Sequence, residues 1–268
     1  MSDFQTIIFE REGNVGIVTL NRPDKFNAVN QKMTEELTSL IEGLNQDKET
    51  RALIITGAGK AFCSGGDFSK DGGLDWASEL STNEEFLSGY RETVPQIMCG
   101  LQALNVPTIA AVNGVAVGLG CDLALACDIR IASENAKLAA IWIKRGLIPA
   151  AGGFWMLPRL VGLGRAAEII FSGRFIPAEE GERIGLFNKV VPAPSLRHEA
   201  IALAQTFTEN PPIAIKLAKM MLYRGLSLDF RAGIELAGAV QAIAHGTEDH
   251  AESINAWREK RKPVYKGR

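Results

Sequence analysis

The chain has 268 residues, 46% of them hydrophobic, with 29 basic and 31 acidic side chains and a net charge of −2. A chain of this length buries enough surface to fold without a disulfide or metal staple. Its near-neutral balance leaves no broad electrostatic footprint for nucleic acid or anionic lipid, and 22% charged residues beside ample Leu, Ile and Val exclude disorder. A soluble globular protein is expected.

The N-terminal stretch MSDFQTIIFEREG carries acids at Asp3, Glu10 and Glu12 and lacks the apolar run of a signal peptide, and the closing VYKGR is no targeting tripeptide. A cytoplasmic location is expected. Short β-branched runs at 16–20 and 52–56 read as strands, and Met33, Leu37, Leu40, Ile41 and Leu44 lie at helical spacing between them, which closes an α/β unit. The polar stretch 69–93 predicts a loop followed by a helix. Residues 93–121 carry no charge, but Pro95, Pro107, Gln96, Gln102, Asn105 and Asn113 interrupt them, which favours a buried interior segment over a membrane span. Further strands are predicted at 108–112 and 129–132. Beyond residue 195 the pattern turns helical, at 196–208, 213–223, 230–244 and 250–260. Two regions follow: an α/β core over 1–195, and a helical region over 196–268 whose surplus apolar faces suit subunit packing.

Cys63, Cys99, Cys121 and Cys127 form no CxxC pair and are expected as buried, reduced thiols. His245 and His250 flank Glu248 and Asp249, but positions five apart on one helix diverge, so no metal site is expected. Gly162, Gly164 and Ala167 fit a dinucleotide spacing, yet they follow a poor strand and open no N-terminal βαβ unit. Two segments carry stronger chemistry. In Ala61–Asp67, paired glycines after a strand can turn the backbone and expose its N–H groups. In Asn113–Asp122, a strand ends in glycines and a helix begins near Gly120. The unpaired N–H groups and dipole of such a helix start suit a developing oxyanion, and Leu119 and Asp122, three positions apart, are expected to face one small volume.

Together with residues 21–30, 146–153 and 257–263, these segments resemble the crotonase superfamily, the enoyl-CoA hydratase/isomerase family, in order and over nearly the whole chain. The resemblance implies a crotonase-like α/β fold, a spiral of ββα units with a C-terminal helical trimerisation region, assembled as a homotrimer or homohexamer. It implies an acyl-CoA thioester as substrate, with coenzyme A its only cofactor and no metal, nucleic acid or membrane partner. The backbone N–H groups of Gly66 and Leu119 would hold the thioester oxygen. Lys25, Ala28, Ser64, Asp67 and Phe68 fall where the family contacts CoA or substrate.

Family hydratases place two glutamates about a water. The first position is occupied here by Asp122 and the second by Trp142, while a third acid position, used by some isomerases and dehalogenases, is Ala150. One carboxylate therefore remains. Asp122, expected to have a raised pKa beside Trp142, suits proton shuttling through an enolate. Trp142 and Ala150 would line the acyl pocket, the indole as a flat wall for an aromatic, cyclic or planar acyl group. Isomerisation or hydration of an enoyl-CoA through Asp122 is expected. The alternatives are a non-catalytic acyl-CoA binder and another enolate reaction such as C–C cleavage or decarboxylation. Asp71, Asp75, Glu84 and Glu85 are candidates for a second acid.

Overall fold

The computed structural model describes residues 4–69, 72–74 and 82–268. An antiparallel hairpin of β1 (Ile7–Glu12) and β2 (Val15–Leu20) opens the larger sheet, which continues in parallel through β3 (Ala52–Gly57), β5 (Thr108–Val112), β7 (Ile129–Ser133) and β10 (Lys189–Val191). A smaller sheet runs in the order β4 (Ala61–Cys63), β6 (Val115–Val117), β8 (Lys137–Ala139) and β9 (Ile176–Pro177). Three times in succession a strand of the larger sheet is followed by one of the smaller sheet and then a helix. Those helices are α2 (Asn83–Ala103), α3 (Leu119–Ala126) and α4 (Gly153–Val161), and the repetition winds the chain into a spiral.

Each layer follows from its side chains. Helix α1 (Gln31–Gln46) is capped by Asn30, whose side chain accepts from the Met33 N–H, and it buries the Met33–Leu44 stripe foreseen from spacing. Its apolar face meets Phe62, Ile97 and Leu101 in the main core. A second core lies on the other face of the larger sheet. There Leu196, Ala200, Ile201 and Ala204 of α7 (Leu196–Thr208) cover Ile17, Ile54, Ile109 and Ile131. The chain continues through α5 (Leu163–Ser172) and α6 (Ala178–Arg183), which precede α7, to α8 (Pro212–Gly225), α9 (Phe230–His245) and α10 (Glu248–Glu259).

Two expectations need adjustment. Cys63, Cys121 and Cys127 are buried, but Cys99, on α2, is exposed because it lines an open cavity rather than the packed core. The rings of His245 and His250 do meet, with centroids 4.8 Å apart, because Gly246 ends α9 and Thr247 caps a new helix, so the two do not share one helical spiral. Among the described residues, no group of three or more His, Cys, Asp or Glu is spaced to hold a metal. The 69–93 region gives its helix from Asn83, and there Thr82 and Glu85 form a reciprocal capping box. The Gly162–Ala167 motif joins one helix to another, so its glycine cannot follow a strand as a dinucleotide loop requires. No helix among the described residues is long and apolar enough to cross a membrane.

Helix α8 is pinned to the body by a buried charge. Lys219 Nζ lies 2.8 Å from Asp128 Oδ2 and donates to the Leu101 and Val106 carbonyls at 3.0 Å each, while Tyr223 donates to Asp128 Oδ1 at 2.6 Å. Lys219→Met would leave Asp128 without this cation and the Leu101 and Val106 carbonyls without the ammonium that donates to both. Chemical denaturation should show a loss of about 3 kcal/mol, and an unchanged midpoint would contradict this role.

Candidate active site

Two glycine-dependent approaches bring the motif segments together. Strand β4 passes so close to α3 that a side chain at Gly120 would strike the Cys63 carbonyl. Gly118, which opens α3 at φ +54°, holds a backbone conformation that L side chains rarely adopt. A Cβ on Gly65 would stand 3.8 Å from the Leu119 nitrogen. The Gly66 segment and the first turn of α3 are therefore neighbours. The Leu119 N–H, at the first helical position, has no partner within its own helix.

Gly66 and Leu119 open onto a cavity of about 500 Å³, whose walls include Phe68, Trp142 and Ala150 of the predicted residues. Helix α2 adds Tyr90, Val94, Ile97 and Met98. The lining is overwhelmingly apolar, and its aromatic groups Phe68, Phe86, Tyr90 and Trp142 make it suited to a flat ligand. Hydroxyls that reach it are already donating: Thr34 to the Asn30 carbonyl at 3.1 Å, Thr93 to Gly89 at 2.7 Å, and Tyr90 to Ala150 at 2.8 Å.

Lys25, Ala28, Ser64 and Asp67 lie together in a loop cluster outside that lining. Lys25 is exposed at the end of a 3-10 turn, and its carbonyl accepts from Ser64 Oγ at 3.3 Å. Ala28 is buried, with its carbonyl bonded to Arg22. The Asp67 carboxylate is engaged by Arg22 at 2.7 Å and by Ser69 Oγ at 2.6 Å. Burial works against its charge, but these bonds hold its pKa below the ordinary carboxylate range. Asp67 thus ties the 21–30 loop to the Gly66 segment, a role its place in the motif did not reveal.

Asp122 differs from expectation in where it faces. It is 1% exposed, and its Oδ2 accepts from Trp142 Nε1 at 3.1 Å. Oδ1 has no hydrogen-bond partner at good geometry among the described residues. Leu119 lines the larger cavity, whereas Asp122 lines a smaller one of about 300 Å³. The two cavities share Tyr90, Val94, Met98, Ala150 and Ala151 as a common wall. The short Asp side chain stays recessed against the indole, so the carboxylate lies at the junction of the cavities, on the smaller one's side. Burial pushes its pKa up to about 7, opposed by the Trp142 indole N–H and the backbone N–H of Gly153 at the start of α4.

Of the candidate second acids, Asp71 and Asp75 lie outside the described residues. Glu84 and Glu85 are exposed in the first turn of α2, and Glu85 is committed to the Thr82 cap. Tyr90 is the site residue that sequence reasoning missed. Its signal was present, since Tyr90, Val94, Ile97 and Leu101 recur at helical spacing, but the first member sits inside a stretch read as polar.

A sequence profile described as enoyl-CoA hydratase/isomerase matches residues 10–268. The chain is 38% identical to the short-chain-enoyl-CoA hydratase of Clostridium acetobutylicum, covering 97% of each sequence. It is 35% identical to the 2,3-dehydroadipyl-CoA hydratase of Escherichia coli, over 98% of this chain and 99% of the other. The crystal structure of an enoyl-CoA hydratase from Bacillus anthracis superposes with a TM-score of 0.91 at 37% identity, covering 98% of this chain and all of that one.

The raised pKa of Asp122 has a consequence for stability. Between pH 4 and 7 the folded chain holds a proton that the unfolded chain has released, so this group's contribution falls as pH rises across that window. Asp122→Asn removes the dependence. Its stability relative to the parent should grow from pH 4 to 7 and level off above, by at most about 4 kcal/mol. Paired melts across pH with a constant difference would contradict the buried, proton-holding carboxylate.

Proposed function

We propose, for a chain that belongs to the enoyl-CoA hydratase/isomerase family, that it polarises an acyl-CoA thioester between the Gly66 and Leu119 N–H groups and uses Asp122 as its acid–base. The thioester oxygen gains negative charge as an enolate forms. Donors fixed at a helix start and shielded by apolar walls stabilise that charge by about 3 kcal/mol each. The observation that carries the reading is the buried Asp122 carboxylate, one oxygen held by an indole N–H and the other without a hydrogen bond of good geometry, one helical turn from the Leu119 N–H. A pKa raised to about 7 lets the same group take a proton and return it near neutral pH. The outcome is hydration of an enoyl-CoA or relocation of its double bond.

The aromatic lining of the larger cavity favours a planar or cyclic acyl group. Lys25 is suited to a CoA phosphate, with Ser64 and Ala28 beside it. Coenzyme A enters as part of the substrate, and no other cofactor is required by this chemistry. The 196–268 region exposes Leu222, Phe230, Ile234, Ile243 and Trp257 on α8, α9 and α10, an apolar surface that fits packing as a homotrimer or a pair of trimers. A cytoplasmic setting supplies acyl-CoA thioesters to such an enzyme.

Incubation in D2O with 2-enoyl-, 3-enoyl- and cyclic enoyl-CoA, followed by mass spectrometry, tests the reading. The parent should add deuterium or heavy water, and Asp122→Asn should lose turnover by 10²-fold or more while acyl-CoA affinity holds within threefold. Undiminished turnover in Asp122→Asn would overturn the assignment. A parent that binds the thioesters yet leaves every mass unchanged would be an acyl-CoA binder.

A further inference from the structure

The smaller cavity holds a feature that enolate formation alone does not use. Asp122 Oδ1, on a residue 1% exposed, lies against the start of α4 but has no hydrogen bond of good geometry among the described residues, so it keeps acceptor capacity on the cavity wall. A buried carboxylate oxygen whose acceptor capacity is not met at good geometry is costly, and the usual remedy is a bound water. The space of about 300 Å³ is ample for one, since a water occupies about 30 Å³ of liquid. A second polar group stands on the same wall. The Tyr90 hydroxyl spends its proton on the Ala150 carbonyl at 2.8 Å, so the lone pairs of its oxygen remain to accept. Tyr90 lines both cavities, and it feels the Asp122 charge, which adds to burial in raising its pKa.

Building on the proposed enolate chemistry, we propose that Tyr90 is a catalytic residue for hydration: its hydroxyl oxygen and Asp122 Oδ1 together hold the water that adds to the enoyl double bond, supplied from the smaller cavity. The water donates one hydrogen to each oxygen and presents its own lone pair toward the shared wall. As its oxygen bonds to Cβ, the hydrogen facing Asp122 transfers to Oδ1. The π electrons move onto the thioester oxygen at Gly66 and Leu119. The enolate then collapses, Cα takes the proton from Asp122, and the carboxylate is restored. One water has been added and nothing else is consumed. A lone carboxylate suffices because the phenol oxygen orients the water without accepting its proton.

Tyr90→Phe in the full-length protein keeps the ring and removes the oxygen. With crotonyl-CoA as probe, kcat for hydration should fall at least 10-fold while KM stays within threefold, a split that mere loosening of α2 would not give. Ala126→Leu supplies an independent variant. Ala126 lines only the smaller cavity, and the added bulk should displace the water and lower kcat similarly, with butyryl-CoA affinity retained. Hydration by Tyr90→Phe within twofold of the parent would overturn the proposal. So would a parent that exchanges α-protons of butyryl-CoA in D2O but adds no water to crotonyl-CoA, an outcome that leaves the enolate reading intact. Absence of both reactions would overturn the enolate reading as well.

Discussion

The structure turns on the burial of one carboxylate against one indole. Removing Asp122 from water disfavours its charge, while the Trp142 N–H and the start of α4 partly restore what water would have given. Neither side of that balance wins outright, and a carboxyl group that would ordinarily ionise near pH 4 is poised near 7. A fully solvated aspartate would be too weak a base, and a fully unpartnered one would stay protonated. In the proposed reaction Trp142 is thus the partner that makes a lone acid usable, and it is also a wall of the larger cavity.

The rest of the fold serves to bring this pair beside the two backbone donors. Parallel strands set β4 and β6 side by side, so the turns after them leave at the same end of the smaller sheet. The absence of a side chain at Gly120 lets α3 seat against β4, and Gly118 turns the chain into the helix. Asn27, buried and bonded to the Ala58 and Ala61 carbonyls, together with the Arg22–Asp67 pair, holds the 21–30 loop across the same edge. Each contact is local, yet the spiral repeat of strand, strand and helix makes them converge on one end of the molecule.

The α1 stripe, the central strands and the glycine-rich turns were legible in the sequence because their periodicity and spacing are local properties. The orientation of Asp122 was not. Three residues along a helix place two groups on one face, but they do not say that an indole from residue 142 will stand against the carboxylate and leave Leu119 and Asp122 on different cavities. Tyr90 was hidden for a related reason: its meaning comes from Ala150, 60 residues away, whose carbonyl fixes its hydroxyl. The His245 and His250 rings met because a Gly-Thr break replaced the continuous helix assumed for them. Local pattern gave the elements, and long-range packing decided what each side chain faces.

A crystal structure with acetoacetyl-CoA, whose enolised thioester resembles the charge-bearing intermediate, would show whether the two backbone donors and Asp122 meet one substrate. The thioester oxygen should lie within hydrogen-bonding distance of both the Gly66 and Leu119 nitrogens, with the α-carbon at the shared wall beside Asp122 Oδ1. A thioester oxygen bound elsewhere, or an acyl group kept from Asp122 by an unmoved Trp142, would contradict that placement.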